Sequence, residues 1–183
     1  MRSIINSTYI TLDGVIQEPQ HWPSLVSFGE EGGKIQYALL ERCDAVLMGR
    51  HTYDVFAPVW SSLSGDPMSD RMNALPKYVV STTLTDPTWN NTTVIDSDPV
   101  VAVRELKQQP GADIVQYGFG SVTHELMAAG LLDELHLWVH PFMVGTGTAE
   151  GLIYRDGAAS RFEFVDSTVL GSGIVVLSYR AAR

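Results

Sequence analysis

The sequence predicts an α/β domain with a mostly parallel central sheet, an antiparallel C-terminal edge strand and helices on both faces. Three observations carry this. Short apolar runs alternate with helix-length amphipathic stretches, punctuated by Gly, Pro and Asp, and no period in the range of about 20 to 50 residues repeats. The run Ala45-Val46-Leu47-Met48 is apolar at every position, as a central parallel strand covered on both faces must be. The runs Phe162 to Val169 and Ile174 to Tyr179 are split around Gly171-Ser172-Gly173, a link short enough to force an antiparallel hairpin.

Taken in order, Ile4 to Leu12 is rich in β-branched and aromatic residues and stops at Asp13-Gly14, which reads as a strand and a turn. A long polar loop with Pro19, His21, Trp22 and Pro23 follows. Between Lys34 and Cys43 the residues Ile35, Leu39 and Cys43 recur at four-residue spacing, on one face of a helix, and Asp44 opens the strand to Met48. Ser61 to Ser69 and Asn90-Asn91-Thr92 read as surface loops, with a buried strand from Lys77 to Ser81 between them. Asp98-Pro99 starts a helix that ends by Pro110-Gly111, because Asp can cap and Pro suits the first turn. Asp113 to Tyr117 is the next strand, Gly118-Phe119-Gly120 a tight turn, and Ser121 the N-cap of a helix that stops at Gly130. Leu135 to Val139, alternating with His136, Trp138 and His140, is a strand closed by Pro141. Neither surface loop is long enough to link domains, so residues 1–183 read as a single domain.

Of the 183 residues 45% are hydrophobic and 18% charged, the balance of a domain with a substantial core. Twelve Lys and Arg stand against 21 Asp and Glu, a formal charge of −9, which excludes a broad field attractive to nucleic acid or anionic lipid. An anionic ligand therefore needs local donors. Cys43 is the only cysteine, which rules out an internal disulfide and a cysteine-rich zinc site. It reads as a small buried hydrophobe in a reducing cytoplasm. The start turns polar at Asn6-Ser7 and no apolar run approaches the roughly 20 residues of a membrane span, so neither export nor membrane insertion is expected. His136 and His140 share a strand face without a third ligand, and no metal is expected.

In open α/β sheets ligands bind at the C-terminal ends of parallel strands, where helix N-termini converge. Three such ends stand out. Gly49-Arg50-His51-Thr52 combines a glycine that permits close backbone approach, a forked cation, and a hydroxyl that can also cap a helix. Ser81-Thr82-Thr83 offers three small hydroxyls, and Gly118-Phe119-Gly120-Ser121 is a glycine turn opening a helix whose dipole favours an anion. Each has a plainer reading: Arg50 can pair with Asp54 one turn on, Ser81 to Thr83 are common turn residues, and Thr123 stands where a dinucleotide fingerprint has its third glycine. A dehydrogenase of Rossmann type also needs a ribose-binding carboxylate near Val139-His140-Pro141, and there is none.

Met48-Gly49-Arg50-His51-Thr52-Tyr53 after a buried strand, then Val79-Val80-Ser81-Thr82 and the Gly118-x-Gly120 helix start, resembles dihydrofolate reductase in order and spacing. Thr11-Leu12-Asp13-Gly14, Leu131-Leu132-Asp133-Glu134-Leu135 and the stretch from Pro141 to Gly147 extend the resemblance over essentially the whole chain. With them it is similar to the C-terminal reductase domain of the bifunctional riboflavin-biosynthesis deaminase/reductase and its small stand-alone relatives. The resemblance implies a dihydrofolate reductase-like fold, a homodimer, and NADPH lying across the strand ends. Gly49, Arg50 and Thr52 would meet its phosphates, Ser81 and Thr82 the adenosine 2′-phosphate side, and Gly118 with Gly120, Ser121 and Val122 the pyrophosphate and nicotinamide half. A 2′-phosphate selects for arginine and hydroxyl donors and against a carboxylate.

The sequence departs from both prototypes on the substrate side. The acidic position of dihydrofolate reductases falls near Gly33, with Glu30 and Glu31 the nearest carboxylates, and the glutamate ending the third strand of riboflavin reductases is replaced by Gln116. An aspartate four residues after Thr52 is replaced by Phe56. The expectation is an NADPH-dependent reductase of a small pterin- or pyrimidine-like substrate, with Asp13 as catalytic proton donor and Trp22, Tyr53 and Gln116 on the substrate. The plainer readings are Asp13 as a turn residue, with the proton from Glu30, Glu31 or water, and Trp22 as a packing anchor. The alternative is a protein that keeps the fold and binds a dinucleotide or small ligand without turnover. The alternation of His136, Trp138 and His140, aromatic and polar together, is the expected dimer face, or else a face that packs under a helix.

Overall fold

The computed structural model describes residues 1–22 and 27–182, so Pro23 of the expected long loop lies outside the described residues. The elements follow the apolar runs: β1 (Ile4–Thr11), α1 (Gly29–Arg42), β2 (Cys43–Gly49), α2 (Arg50–Trp60), α3 (Pro67–Ala74), β3 (Lys77–Val80) and β4 (Thr92–Ile95) in the first half. Next come α4 (Pro99–Gln108), β5 (Asp113–Tyr117), α5 (Ser121–Ala128), β6 (Glu134–His140), β7 (Phe162–Val169) and β8 (Val175–Ala181). One eight-stranded sheet runs β4-β3-β2-β5-β1-β6-β8-β7. Every pairing from β4 to β6 is parallel, and β8 is antiparallel to both β6 and β7. The expected hairpin is thus in place at the edge.

Successive residues of the central strands serve opposite faces, as the two-residue strand period requires. Ile5, Val46, Met48 and Val115 pack with Leu39 and Leu40 of α1 and Met72 of α3. Ile4, Ala45, Leu47 and Ile114 pack with Val103 and Leu106 of α4 and Leu126 of α5. Charge pairs gather at the N-terminal strand ends: Arg2 with Asp44, Arg42 with Asp113 and Glu134, and Lys107 with Asp133. The C-terminal ends are left to the helix starts.

Four elements differ from the sequence reading. Cys43 begins β2 rather than ending α1, so helix passes directly into strand. Part of the expected loop from Ser61 to Ser69 is helix, because the Asp66 carboxylate accepts from the N–H groups of Met68 and Ser69 and starts α3. Thr92 starts strand β4, which pairs with β3 from Lys77↔Thr92 to Val80↔Ile95. Ser121 is the first residue of α5, and Gly120 holds the N-cap position.

The face expected to join two copies is interior. Trp138 is 1% exposed, its indole N–H donates to Ser7 Oγ at 3.1 Å, and its ring meets Tyr9 and Phe28. β6 lies between β1 and β8, and α1 packs over it through Ile35. The alternation of aromatic and polar residues reflects packing beneath a helix.

His140 is fully buried among Tyr9, Trp22 and Phe142, and neither ring nitrogen has a hydrogen-bond partner among the described residues. Burial pushes its pKa down to about 4. The folded imidazole therefore stays neutral while the unfolded one takes up a proton, and this group withdraws stability as pH falls from about 6.5 to about 4. Urea unfolding of the parent and of His140→Phe should show the parent losing more stability over that interval, with the difference levelling off below it. Equal losses in the two proteins would show that His140 is solvated.

Candidate functional site

The chain turns at Gly118 between β5 and α5, and a line of buried polar side chains holds the turn. β1 and β5 place Asn6 opposite Gln116. Asn6 Nδ2 donates to Gly118 O at 2.8 Å and to Gln116 Oε1 at 3.3 Å, while Gln116 Nε2 donates to Thr123 Oγ1 at 3.1 Å. All three side chains are at most 1% exposed. Gly118 has φ +78°, and a Cβ there would be driven into Thr52 Oγ1. Its glycine is a requirement of the close approach of α2 to α5. Gly120 is different: its backbone is extended and a Cβ would meet nothing within 4 Å.

Above this turn a cleft of about 800 Å³ crosses the C-terminal strand ends. It brings together Gly49, Arg50, Thr52, Ser81 and Thr82 with Gly118, Gly120, Ser121 and Val122 from the adjoining strand end. Gln116 lies in its floor. At the opposite end of the sheet a hollow of about 700 Å³ lies beside Asp133, Glu134, Arg161 and Arg180, away from the starts of α2 and α5.

Two helices open onto the cleft without side-chain caps. The N-cap of α2 is Gly49 and that of α5 is Gly120, so Thr52 is an interior hydroxyl rather than a cap, and no side chain of the described residues caps the first-turn N–H groups. By contrast Asp66 and Asp98 cap α3 and α4. Unsatisfied donors at two converging helix starts, with the positive ends of both dipoles, suit an anion such as a pyrophosphate.

Arg50 adds a cation. Its Nε donates to both oxygens of Asp54 at 2.7 and 2.9 Å, and Nη1 donates to Thr83 Oγ1 at 3.3 Å. The pairing with Asp54 is the plainer reading of this arginine, yet the bond to Thr83 also carries it across to the end of β3, beside Thr82. Ser81 is nearly buried, its oxygen accepting from the N–H groups of Thr83 and Leu84, which makes it the brace of the turn.

Three expected site residues lie elsewhere. Tyr53 is 4% exposed, packs against Trp89, and its hydroxyl accepts from the Trp89 backbone N–H at 3.2 Å. The helical turn that aims Thr52, Val55 and Phe56 at the cleft aims Tyr53 into the core. Trp22 is an anchor: its N–H donates to Gln17 O at 2.9 Å and its ring stands edge-on to His140 and Phe142. Asp13 is outside the cleft, accepting from Thr11 Oγ1, Gly145 N and Val144 N. The Thr11 hydroxyl first, then the Gly145 N–H, hold its carboxyl below the usual range. A carboxylate kept ionised in this way clamps two loops together and is ill suited to donating a proton. Glu30 and Glu31 do not line the cleft either, and Glu30 pairs with Lys34 in solvent.

Sequence reasoning missed Asn6, Tyr9, Gln36 and the apolar wall of Phe56, Trp60 and Met68. The signal for Asn6 was present: a lone amide within Ile4-Ile5-Asn6, on a strand otherwise buried, needs a partner. Tyr9 and Gln36 meet only because α1 crosses β1, which no local spacing records.

The RibD C-terminal domain matches residues 2–176 of the chain. The uncharacterized protein YyaP of Bacillus subtilis (strain 168) is 27% identical, over 97% of this chain and 94% of its own length. Among solved structures, a candidate riboflavin biosynthesis protein from Shewanella sp. PV-4 superposes with a TM-score of 0.76 at 22% identity, covering all of both chains. A pyrimidine reductase-like protein from Corynebacterium diphtheriae gives 0.69 at 13% identity, over all of this chain and 92% of its own. The deaminase/5-amino-6-(5-phosphoribosylamino)uracil reductase of Thermotoga maritima gives 0.66 at 14% identity, and this chain, 99% covered, spans 57% of its length.

The two glycines separate a structural requirement from a ligand requirement. Gly118→Ala should lower unfolding stability by about 1 to 3 kcal/mol, from the left-handed backbone and the contact with Thr52. Gly120→Val should leave the unfolding midpoint nearly unchanged while narrowing the mouth of the cleft. If denaturant titration ranks the two in the reverse order, the turn is not built as described.

Proposed function

The chain belongs to the RibD C-terminal domain family, and from that premise we propose that it is an NADPH-dependent reductase of a small pterin- or pyrimidine-like heterocycle. The supporting observation is the donor set of the cleft: two uncapped helix starts, Arg50 and Thr82 at neighbouring strand ends, and no carboxylate where a ribose-binding acid would sit. That set fits a dinucleotide with an extra phosphate. Arg50 with Thr82 would hold the 2′-phosphate side, Gly49 and Thr52 the phosphates, and Gly118 with Gly120, Ser121 and Val122 the pyrophosphate and nicotinamide half. When bound, NADPH would supply the hydride. The protein aligns the acceptor in a cleft that is open to solvent, and with Asp13 withdrawn, water is the proton source.

A second reading, ligand binding without turnover, draws on Gln116, whose amide is spent on Asn6 and Thr123 and which cannot ionise. Loss of NADPH absorbance with a pterin and pyrimidine panel separates the two. The setting we propose is cytoplasmic. There Cys43 remains a reduced thiol, its pKa raised to about 12 by burial, and among the described residues no helix is long and apolar enough to cross a membrane.

Fluorescence titration should show NADPH binding more tightly than NADH, and Arg50→Ala should weaken NADPH by about 1.5 to 3 kcal/mol, the worth of a charge-assisted hydrogen bond, with little effect on NADH. Equal affinity of the parent for both nucleotides would remove the 2′-phosphate assignment.

The homodimer is likewise proposed, with the outer strand β7 as its surface. Phe164, Val165 and Val169 are 62%, 50% and 70% exposed on this free sheet edge. Sedimentation at micromolar concentration should give a species near twice the 20.1 kDa chain mass. A single 20.1 kDa species would leave β7 an unpaired edge.

A further inference from the structure

The cleft has two chemically distinct halves. Arg50 is the one Arg or Lys among the described residues that line it, and it stands in the half assigned to the nucleotide. Residues 23–26, which lie outside the description, contain no Arg or Lys. The other half is bounded by β1, the segment 16–20, α1 and the apolar side of α2. Its charged residues are carboxylates, Glu18 and Glu150. Glu150 is held ionised by its own backbone N–H and by the Thr148 hydroxyl, with a smaller contribution from the charge of Arg155. A phosphate monoester, carrying about −1.5 to −2 charge, would meet two lining carboxylates there and no lining cation, since Arg155 acts on Glu150 from outside the lining.

The same half carries one neutral recognition pair. Gln36 Nε2 on α1 donates to the Tyr9 hydroxyl on β1 at 2.7 Å. The bond orients both groups: the Tyr9 hydroxyl has its own proton left to give, and Gln36 Oε1 has its lone pairs left to accept, with no further partner for either among the described residues. Burial raises the Tyr9 pKa, which keeps the phenol protonated and able to donate. Phe56, Trp60 and Met68 give this half flat, apolar walls.

We infer that the substrate is an uncharged, unphosphorylated planar lactam, a ring with N–H beside C=O, whose N–H is accepted by Gln36 and whose carbonyl is met by Tyr9. The inference rests on the reductase reading and narrows its substrate class. It separates this protein from the Thermotoga maritima reductase, whose name describes a phosphoribosyl substrate. A neutral amide in this place also selects against a protonated ring, which a carboxylate would favour.

A matched pair of probes that differ only by the phosphate tests it: 5-amino-6-(ribosylamino)uracil and its 5′-phosphate, titrated calorimetrically into the protein alone and with NADP⁺ present. The unphosphorylated compound should bind at least tenfold more tightly, and Gln36→Leu should weaken it by about tenfold while leaving NADPH affinity and the unfolding midpoint in place. Equal or tighter binding of the phosphate, binding of neither compound, or unchanged affinity in Gln36→Leu overturns the inference. NADPH oxidation is followed in parallel. Selective binding without oxidation overturns the reductase reading alone, and oxidation with preference for the phosphorylated probe overturns the lactam inference alone.

Discussion

Gln116 joins three elements that must meet for the cleft to exist. Its carbonyl takes a hydrogen bond from Asn6 on β1 and its amide gives one to Thr123 on α5, so a central strand, its parallel neighbour and the following helix are held at one point. Asn6 extends the line to the carbonyl of Gly118 and so sets the turn that brings α5 against Thr52. Since these groups are buried, stripping a partner from any of them costs about 1 to 3 kcal/mol. The turn is therefore coupled to the core rather than riding on it as a loop. An ionised glutamate at this place would have to take the Thr123 hydroxyl proton away from the Gly118 carbonyl and would bury a charge, which links the neutral floor of the cleft to the way this chain packs.

The rest of the molecule divides its charges accordingly. Arg2, Arg42 and Lys107 pair with carboxylates at the N-terminal ends of the strands, and capping aspartates close α3 and α4. At the C-terminal ends α2 and α5 start from glycines, and their backbone donors stay available. In a chain of formal charge −9, attraction for an anion cannot come from the overall field. For the proposed cofactor it would have to come from oriented donors at short range, where salt and net charge matter least.

Continuous apolarity made β2 and its parallel neighbours legible, because burial on both faces leaves no choice of residue at Val46, Leu47 or Met48. That the Gly, Arg and hydroxyl residues of three strand ends meet in one cleft was legible as well, since their places were given by the alternation of strand and helix. β4 was not: of its four residues only Ile95 is buried, so an edge strand looks like a polar loop. α3 was hidden in a similar way, its helix start resting on the Asp66 cap inside a stretch of serines. Asp13, Trp22 and Tyr53 were misplaced for another reason. Each has the right residue type near the right strand end, but what it touches is decided at long range, by Val144 and Gly145, by His140 and Phe142, and by Trp89.

Arg50 has a plain structural role that is compatible with the binding role proposed for it. Its pairing with Asp54 spans one helical turn, with side-chain exposures of 39% and 50%, and exposed pairs of this kind contribute only about 0.3 to 0.5 kcal/mol. A guanidinium has five N–H donors, of which Asp54 engages the one on Nε and Thr83 one on Nη1. The remaining three are enough for a bidentate contact with a phosphate, which exceeds the surface pair in strength and does not require breaking it. The aspartate instead restrains a long side chain that would otherwise lose rotamer freedom on binding, at a cost of about 0.5 to 1.5 kcal/mol. The ion pair thus holds the cation at the mouth of the cleft, and its weakness is what would let a phosphate dominate on the proposed reading.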